Sequence, residues 1–214
     1  MQSLLRGIHH FRNGIFEQQR ELFARLVEGQ SPEALFIGCS DSRVAPSMIT
    51  QSGPGDLFEL RNAGNMIPPY GASNGGEAAA VEFAVVGLGV KDIIICGHTC
   101  CGAIGGLLDP TTVEKMPLMR TWLEHAETTR RIMEENYPDV PDTARRNIAV
   151  QEHALLQIEN LQTHPCVAVR LQRRELTLHA WVYKLETGEV FAYSPEAGRY
   201  LPLAAELVPV ARQT

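Results

Sequence analysis

Short continuous apolar runs alternate along this chain with segments of helical period, the pattern of strands buried on both faces between helices. Ala34-Leu35-Phe36-Ile37, bounded by Pro32 and Gly38, predicts a strand over 34–38. Leu57 to Arg61 predicts a second and Asp92 to Cys96 a third. The alternating stretch Leu176 to Tyr183 predicts a fourth, which Thr187-Gly188 turns into an edge partner over 190–193. Phe11, Ile15, Leu22, Phe23, Leu26 and Val27 recur at helical spacing and predict an amphipathic helix over 11–28, stopped by Gly29. A short helix or turn is expected over 44–49, with Pro46 suited to its first turn. Further helices are expected over 77–88, 118–136, 144–161 and 165–172. Residues 62–76 are rich in Gly, Pro and Asn and read as an irregular loop that closely approaches something. From Pro195 onward the pattern gives little signal.

This order predicts an α/β fold: a mostly parallel central sheet of four strands plus an antiparallel edge strand, flanked by helices. The expected organisation is one domain over 1–214, with an N-terminal helical arm (1–30), the core (31–203) and a tail (204–214). The arm precedes the first strand and is expected to cover a neighbouring surface, its own sheet or a partner subunit. At 44% hydrophobic and 21% charged residues the chain has the composition of a packed domain. A net charge of −6 leaves no basic footprint for nucleic acid. No apolar run approaches the ~20 residues needed to cross a bilayer, and no apolar signal-peptide core follows Arg6. Five cysteines, an odd count, argue against a paired secreted framework and for a reducing cytoplasm.

Candidate chemistry sits just past two of the predicted strands. The first is followed by Cys39, Asp41 and Arg43, the third by His98, Cys100 and Cys101. In open α/β sheets ligands bind beyond the carboxyl ends of the strands, where strand order reverses. If these two strands are neighbours, the polar loops converge there. Cys39, His98 and Cys101 then form a Cys2His set that leaves a fourth tetrahedral position open, the arrangement of a catalytic zinc. The alternatives are buried free cysteines with a satisfied histidine, or a thiol redox pair using Cys100 and Cys101. Asp41 and Arg43, two residues apart, are placed for a charge-assisted pair that keeps the carboxylate off a metal and lets it orient a water. His9, His10, His125, His153, His164 and His179 have no spacing that singles one out as a proton shuttle and are read as structural or surface residues.

Cys39-Ser40-Asp41-Ser42-Arg43 followed by His98-Thr99-Cys100-Cys101-Gly102 resembles the β-class carbonic anhydrases. The likeness extends through Gly55-Asp56-Leu57-Phe58, Arg61-Asn62-Ala63-Gly64-Asn65, Pro68-Pro69-Tyr70-Gly71 and Leu178 to Tyr183, about residues 4–203. Within that family it is most similar to bacterial cyanase-associated and cyanobacterial carboxysomal enzymes. The resemblance implies reversible hydration of CO2 to bicarbonate, with zinc-bound hydroxide as nucleophile and one Zn2+ per chain on Cys39, His98 and Cys101. It implies Asp41 and Arg43 as the catalytic dyad, Gly102 as a backbone position near the substrate, and Cys100 as a non-ligand. It also implies a homodimer or dimer of dimers built partly by the N-terminal helices, and leaves carboxysome association open. Two positions depart from patterns seen in parts of the family. Gly53 stands where some members carry a substrate-contacting Gln, with Gln51 two residues earlier. Phe36 stands where some carry a Trp of an allosteric bicarbonate pocket, although Arg61 matches that pocket's arginine. The lack of a long appended tail favours a free cytoplasmic enzyme, and a non-catalytic zinc-containing scaffold is the alternative.

Overall fold

A computed structural model describes residues 1–73 and 75–203. The chain divides into two compact units, Met1–Ser31 and a second that begins at Pro32. The expected tail over 204–214 lies outside the described residues.

The first unit is helical from Gln2–His10 through a π-helical turn at Phe11–Ile15, then Phe16–Gln18 and Arg20–Glu28. Helix thus starts at Gln2 rather than Phe11, because Leu4, Leu5 and Ile8 already carry the apolar stripe. Gln19 interrupts the run at φ −110° and ψ 22°. Phe11, Phe16 and Phe23 stack around that interruption with centroids 4.9–6.1 Å apart. No residue of these helices is buried, and Leu4, Leu5 and Ile8 are each more than half exposed.

The second unit is built on one six-stranded sheet of order β2-β1-β3-β4-β5-β6. Its strands are β1 (Ala34–Cys39), β2 (Leu57–Asn62), β3 (Asp92–His98), β4 (Thr177–Tyr183), β5 (Val190–Ser194) and β6 (Arg199–Pro202). The first four run parallel, and β5 and β6 add antiparallel. The expectation of a single antiparallel edge strand is therefore corrected: β6 is a second. It is four residues long, ends in Pro202 and follows a Ser-Pro-Glu-Ala-Gly turn with Gly198 at φ +62°, too short to show a period. The register that pairs Tyr193 with Tyr200 and the Tyr200 hydroxyl bond to Gln151 O (3.0 Å) fix it in place.

Both faces of the parallel strands are covered. Leu35, Ile37, Ile93 and Ile95 pack against Val81, Ala84, Ala154 and Leu161, while Phe36, Ile94 and Cys96 pack on the other face with Trp181. That two-sided burial explains why β1 and β3 read as continuous apolar runs instead of alternating. β1 lies between β2 and β3, so the strand order reverses between β1 and β3, which carry Cys39 and His98 at their ends.

Two helical expectations need correction. The segment over 118–136 is two helices, Pro117–Glu124 and Glu127–Glu135, bent at the fully buried Ala126. The bend lets Leu123 and Met133 enter one core cluster. A helix at Gly102–Leu108 was not expected, since glycine weakens helices by about 1 kcal/mol each. Tight packing demands those glycines: a Cβ at Gly106 would lie 2.7 Å from Val113 Cγ1, and one at Gly105 3.1 Å from the Arg146 guanidinium.

Gly97 shows the same constraint one residue before His98. A Cβ there would meet Val150 Cγ1 at 2.8 Å, on the long helix Asp142–Gln162. Gly97→Ala is expected to destabilise the fold by about 1–3 kcal/mol, read as a fall in Tm of roughly 2–10 °C in a thermal melt. An unchanged Tm would show that the helix is free to move off the strand.

Candidate metal and catalytic site

The β1 half of the site is held by β2. Arg61 donates from Nε and Nη2 to Cys39 O (3.1 and 3.0 Å) and from Nη2 to Asp41 O (2.9 Å) and Val44 O (2.6 Å). One guanidinium thus gathers three carbonyls of the loop that leaves the strand. Within that loop Arg43 binds Asp41 in a fork, Nε to Oδ1 at 2.9 Å and Nη2 to Oδ2 at 2.8 Å, and the Arg43 backbone N–H adds a bond to Oδ1 at 3.0 Å. The Arg43 side-chain bonds first, then its backbone N–H, hold the Asp41 carboxyl well below the usual carboxylate range. Arg43 Nη2 also donates to Cys100 O at 3.2 Å, tying the β1 loop to the β3 loop.

The β3 half is held by the turn between β4 and β5. His98 is wholly buried; its Nδ1 lies 2.9 Å from Thr99 O and so carries the proton. Nε2 is then a bare lone pair, and it is buried without a hydrogen-bond partner. Thr99 donates its backbone N–H to Tyr183 O (3.0 Å) and its hydroxyl to Glu186 Oε2 (2.7 Å), while accepting from Leu185 N–H (3.0 Å). Cys100 sits in the left-handed region at φ +57°, which turns its own side chain outward to Glu186 Oε1 (3.5 Å). Cys101 is buried at the start of the Gly102–Leu108 helix.

Cys39, His98 and Cys101 converge as predicted by the strand order. Their donor atoms lie within 4.8 Å of one another, and among the described residues this is the one such cluster. The Cys39 and Cys101 sulfurs are 3.9 Å apart. Two thiolates at about 2.3 Å from one tetrahedral zinc lie about 3.8 Å apart, so the spacing fits that ion. A disulfide needs about 2.05 Å, and all five cysteines are unpaired. With a proton shared between the two sulfurs, the Cys101 bond drives the Cys39 thiol down, and the same bond and burial push Cys101 up. Cys39, Cys101 and His98 Nε2 could together hold a divalent cation, which would take the place of that shared proton. Asp41 Oδ2 faces the cluster, 3.8 Å from His98 Nε2. Gly102 opens the helix beside it, exposed and with open space around a Cβ position.

A profile of the family described as carbonic anhydrase matches residues 34–190. A carbonic anhydrase of Synechocystis is 53% identical over 194 residues, covering 90% of this chain and 71% of that protein. The solved structure of the β-carbonic anhydrase CcaA superposes with a TM-score of 0.93 at 50% identity, covering 94% of this chain and 98% of its own. The chain belongs to the β-carbonic anhydrase family. A structure described as one of two tetrameric β-carbonic anhydrases from Sordaria macrospora is 28% identical, with a TM-score of 0.82 and coverage of 90% of this chain and 96% of that one.

The two departures from family patterns have local explanations. Gln51 is a left-handed helix C-cap at φ +54° whose Nε2 donates back to Met48 O (2.6 Å). Phe36 is fully buried edge-on to Trp181, centroids 6.4 Å apart, and Arg61 spends its donors on the loop carbonyls described above. Sequence reasoning gave no role to Thr99, Gly64, Glu186 or Trp122. Glu186 had no signal at all, being one acidic residue in a hairpin turn.

Four histidines outside the cluster have defined partners or burial. His164 Nε2 bonds Pro68 O (3.1 Å), His179 pairs with Asp92 (2.8 Å) and His9 contacts Asn13. Burial pushes His153 down to about 4. The unfolded chain therefore binds this proton more readily than the folded one. The stability linked to His153 is complete above about pH 6.5 and falls as pH drops from there towards 4, by about 3 kcal/mol. Urea denaturation across pH 7 to 4.5 is expected to show a shallower loss in His153→Gln than in the parent chain. Equal slopes would mean His153 titrates alike in both states.

Proposed function

We propose that this β-carbonic anhydrase family member binds one zinc per chain through Cys39, His98 and Cys101 and catalyses the reversible hydration of CO2 to bicarbonate and a proton. The observation that carries this reading is His98 Nε2, buried without a hydrogen-bond partner within 4.8 Å of the Cys39 and Cys101 sulfurs, which are themselves spaced as two ligands of one tetrahedral zinc. Zinc supplies Lewis acidity that lowers the pKa of a bound water to about 7, the general value for carbonic anhydrase zinc.

The chain's own residues do the rest. Cys39 and Cys101 neutralise the ion, and the Nδ1–H bond to Thr99 O fixes the tautomer that presents His98 Nε2. Arg43 occupies Asp41 Oδ1 through Nε and its backbone N–H, and Oδ2 through one Nη2 bond. A lone pair on Oδ2 remains for the O–H of the attacking water, which it orients towards CO2. Pairing with Arg43 also disfavours Asp41 as a fourth ligand. We assign Gly102 as the backbone position next to substrate, since no side chain there crowds the mouth. A purely structural metal needs neither the dyad nor the uncrowded mouth, which weighs against a scaffold role. Cys100, turned to Glu186, is read as a non-ligand.

The unpaired cysteines suit a reducing cytoplasm, and no helix among the described residues is long and apolar enough to cross a membrane. The exposed apolar stripe of Leu4, Leu5 and Ile8 suits a homodimer or dimer of dimers, a state that sedimentation equilibrium reads directly. Metal analysis followed by stopped-flow CO2 hydration tests the whole reading. The expected result is one zinc per chain and saturable hydration; a zinc-loaded chain without hydration activity overturns it in favour of the scaffold.

A further inference from the structure

Two donors from the helical layer converge on the backbone beside Cys39. The Trp122 indole N–H donates to Ala63 O at 2.7 Å. His153, wholly buried and bonded through Nδ1 to Thr129 Oγ1 at 3.0 Å, sets Nε2 3.0 Å from Gly64 O. Between these carbonyls lies the Gly64 N–H, which points at Cys39 Sγ at 3.4 Å. Gly64 holds φ +85°, and a Cβ there would lie 3.2 Å from Ala103 Cβ, so the segment is boxed in on its open side as well.

We propose that Trp122 and His153 are positioning residues that hold the Gly64 N–H on the Cys39 sulfur and thereby weaken that sulfur's electron donation to the metal. The inference rests on the cysteine-bound metal of the reading above. Trp122 and Cys39 sit at opposite ends of one amide: the C=O that accepts from the indole and the N–H that donates to sulfur both belong to the Ala63–Gly64 peptide. A bond accepted at the oxygen polarises the amide and strengthens the bond its nitrogen donates. A hydrogen bond to a ligating sulfur draws charge from it, and such outer partners tune the metal. His153 fixes the next peptide plane, which keeps Gly64 in its left-handed conformation. A site with two thiolates on one cation has reason for such a brake, because each thiolate lowers the ion's Lewis acidity.

The cobalt(II)-loaded protein reads this directly, since the energy of its sulfur-to-cobalt charge-transfer band follows the charge left on sulfur. Trp122→Phe is expected to shift the band to lower energy and move the Gly64 amide proton of the zinc-loaded protein upfield. Replacing the Trp122 indole by benzothiophene, which keeps the shape and deletes only the N–H, gives the same shift if Trp122→Phe does not fold. Trp181→Phe, on the opposite face of the sheet, leaves the band in place. A benzothiophene protein that folds and keeps the parent band overturns the inference while leaving the metal reading intact. A parent protein that binds cobalt without any sulfur charge-transfer band overturns the cysteine-bound metal and this inference with it.

Discussion

Cys39→Ala is expected to lose its zinc and at least about a thousandfold in CO2 hydration while remaining folded. The magnitude follows from the metal's share of transition-state stabilisation, several kcal/mol, at 1.36 kcal/mol per tenfold in rate. The loss of metal follows from the donor count: His98 and Cys101 alone supply two ligands where a catalytic zinc takes three. Folding survives because a thiol is small. Its removal leaves a cavity of about one sulfur and an unpaired Gly64 N–H, together costing about 1–3 kcal/mol. His98→Ala is the harsher version, since it empties a fully buried ring site and frees Thr99 O. Zinc content by elemental analysis, circular dichroism and stopped-flow hydration separate the three effects. Hydration at the parent rate in a metal-free Cys39→Ala chain would sink the zinc reading.

The parts of this site that were legible in the sequence are those that sit at the ends of strands. Ala34 to Ile37 and Ile93 to Ile95 are buried on both faces, so their runs were continuous and their ends sharply marked by Cys39 and His98. Topology supplied the rest of the convergence, because a chain that leaves β1 for β2 and returns on the other side as β3 must bring those ends together. What could not be read is the layer behind the ligands. Arg61 acts through three backbone carbonyls, Glu186 through a threonine hydroxyl, and Trp122 through one peptide oxygen. Backbone partners leave no trace in residue identity. The Gly102–Leu108 helix was hidden as well, because Gly105 and Gly106 are packed against Arg146 and Val113 and contradict its local propensity. The bend at Ala126 was hidden for the opposite reason: alanine is the best helix former, and only its burial reveals that packing overrides propensity.

Arg43 and Arg61 divide the control of the 39–44 loop between them. Arg61 acts on the backbone alone, whereas Arg43 joins the Asp41 carboxylate to Cys100 O across the gap between the two strand ends. The loop carrying Cys39 and the loop carrying His98 and Cys101 are therefore coupled through the residue that also pairs with Asp41. A guanidinium suits this because its planar fork fills both carboxylate oxygens and still has a hydrogen for the carbonyl, which a lysine ammonium at one point does not match.

Asp41→Asn separates aiming from metal binding. The substitution keeps size and shape but turns one oxygen into an NH2 group. Two of the three Arg43 donors meet Oδ1, so the amide oxygen is expected to stay there and the NH2 group to take the Oδ2 position, losing one arm of the fork. That places a donor where Oδ2 now faces the cluster, 3.8 Å from His98 Nε2. The attacking water then meets a hydrogen instead of a lone pair and loses its orientation. A single preorganised group of this kind contributes about 10²–10³ in kcat, so kcat is expected to fall by that factor with one zinc per chain retained. Asp41→Ala is expected to lose as much and, with Arg43 left unpaired, to loosen the link to Cys100 O as well. Arg43→Lys should lie between the parent and these variants, since it keeps the charge but not the fork. The decisive measurement is stopped-flow hydration on samples matched for zinc content. Parent-like kcat in zinc-replete Asp41→Asn would remove Asp41 from the chemistry and return it to the role of a loop residue paired with Arg43.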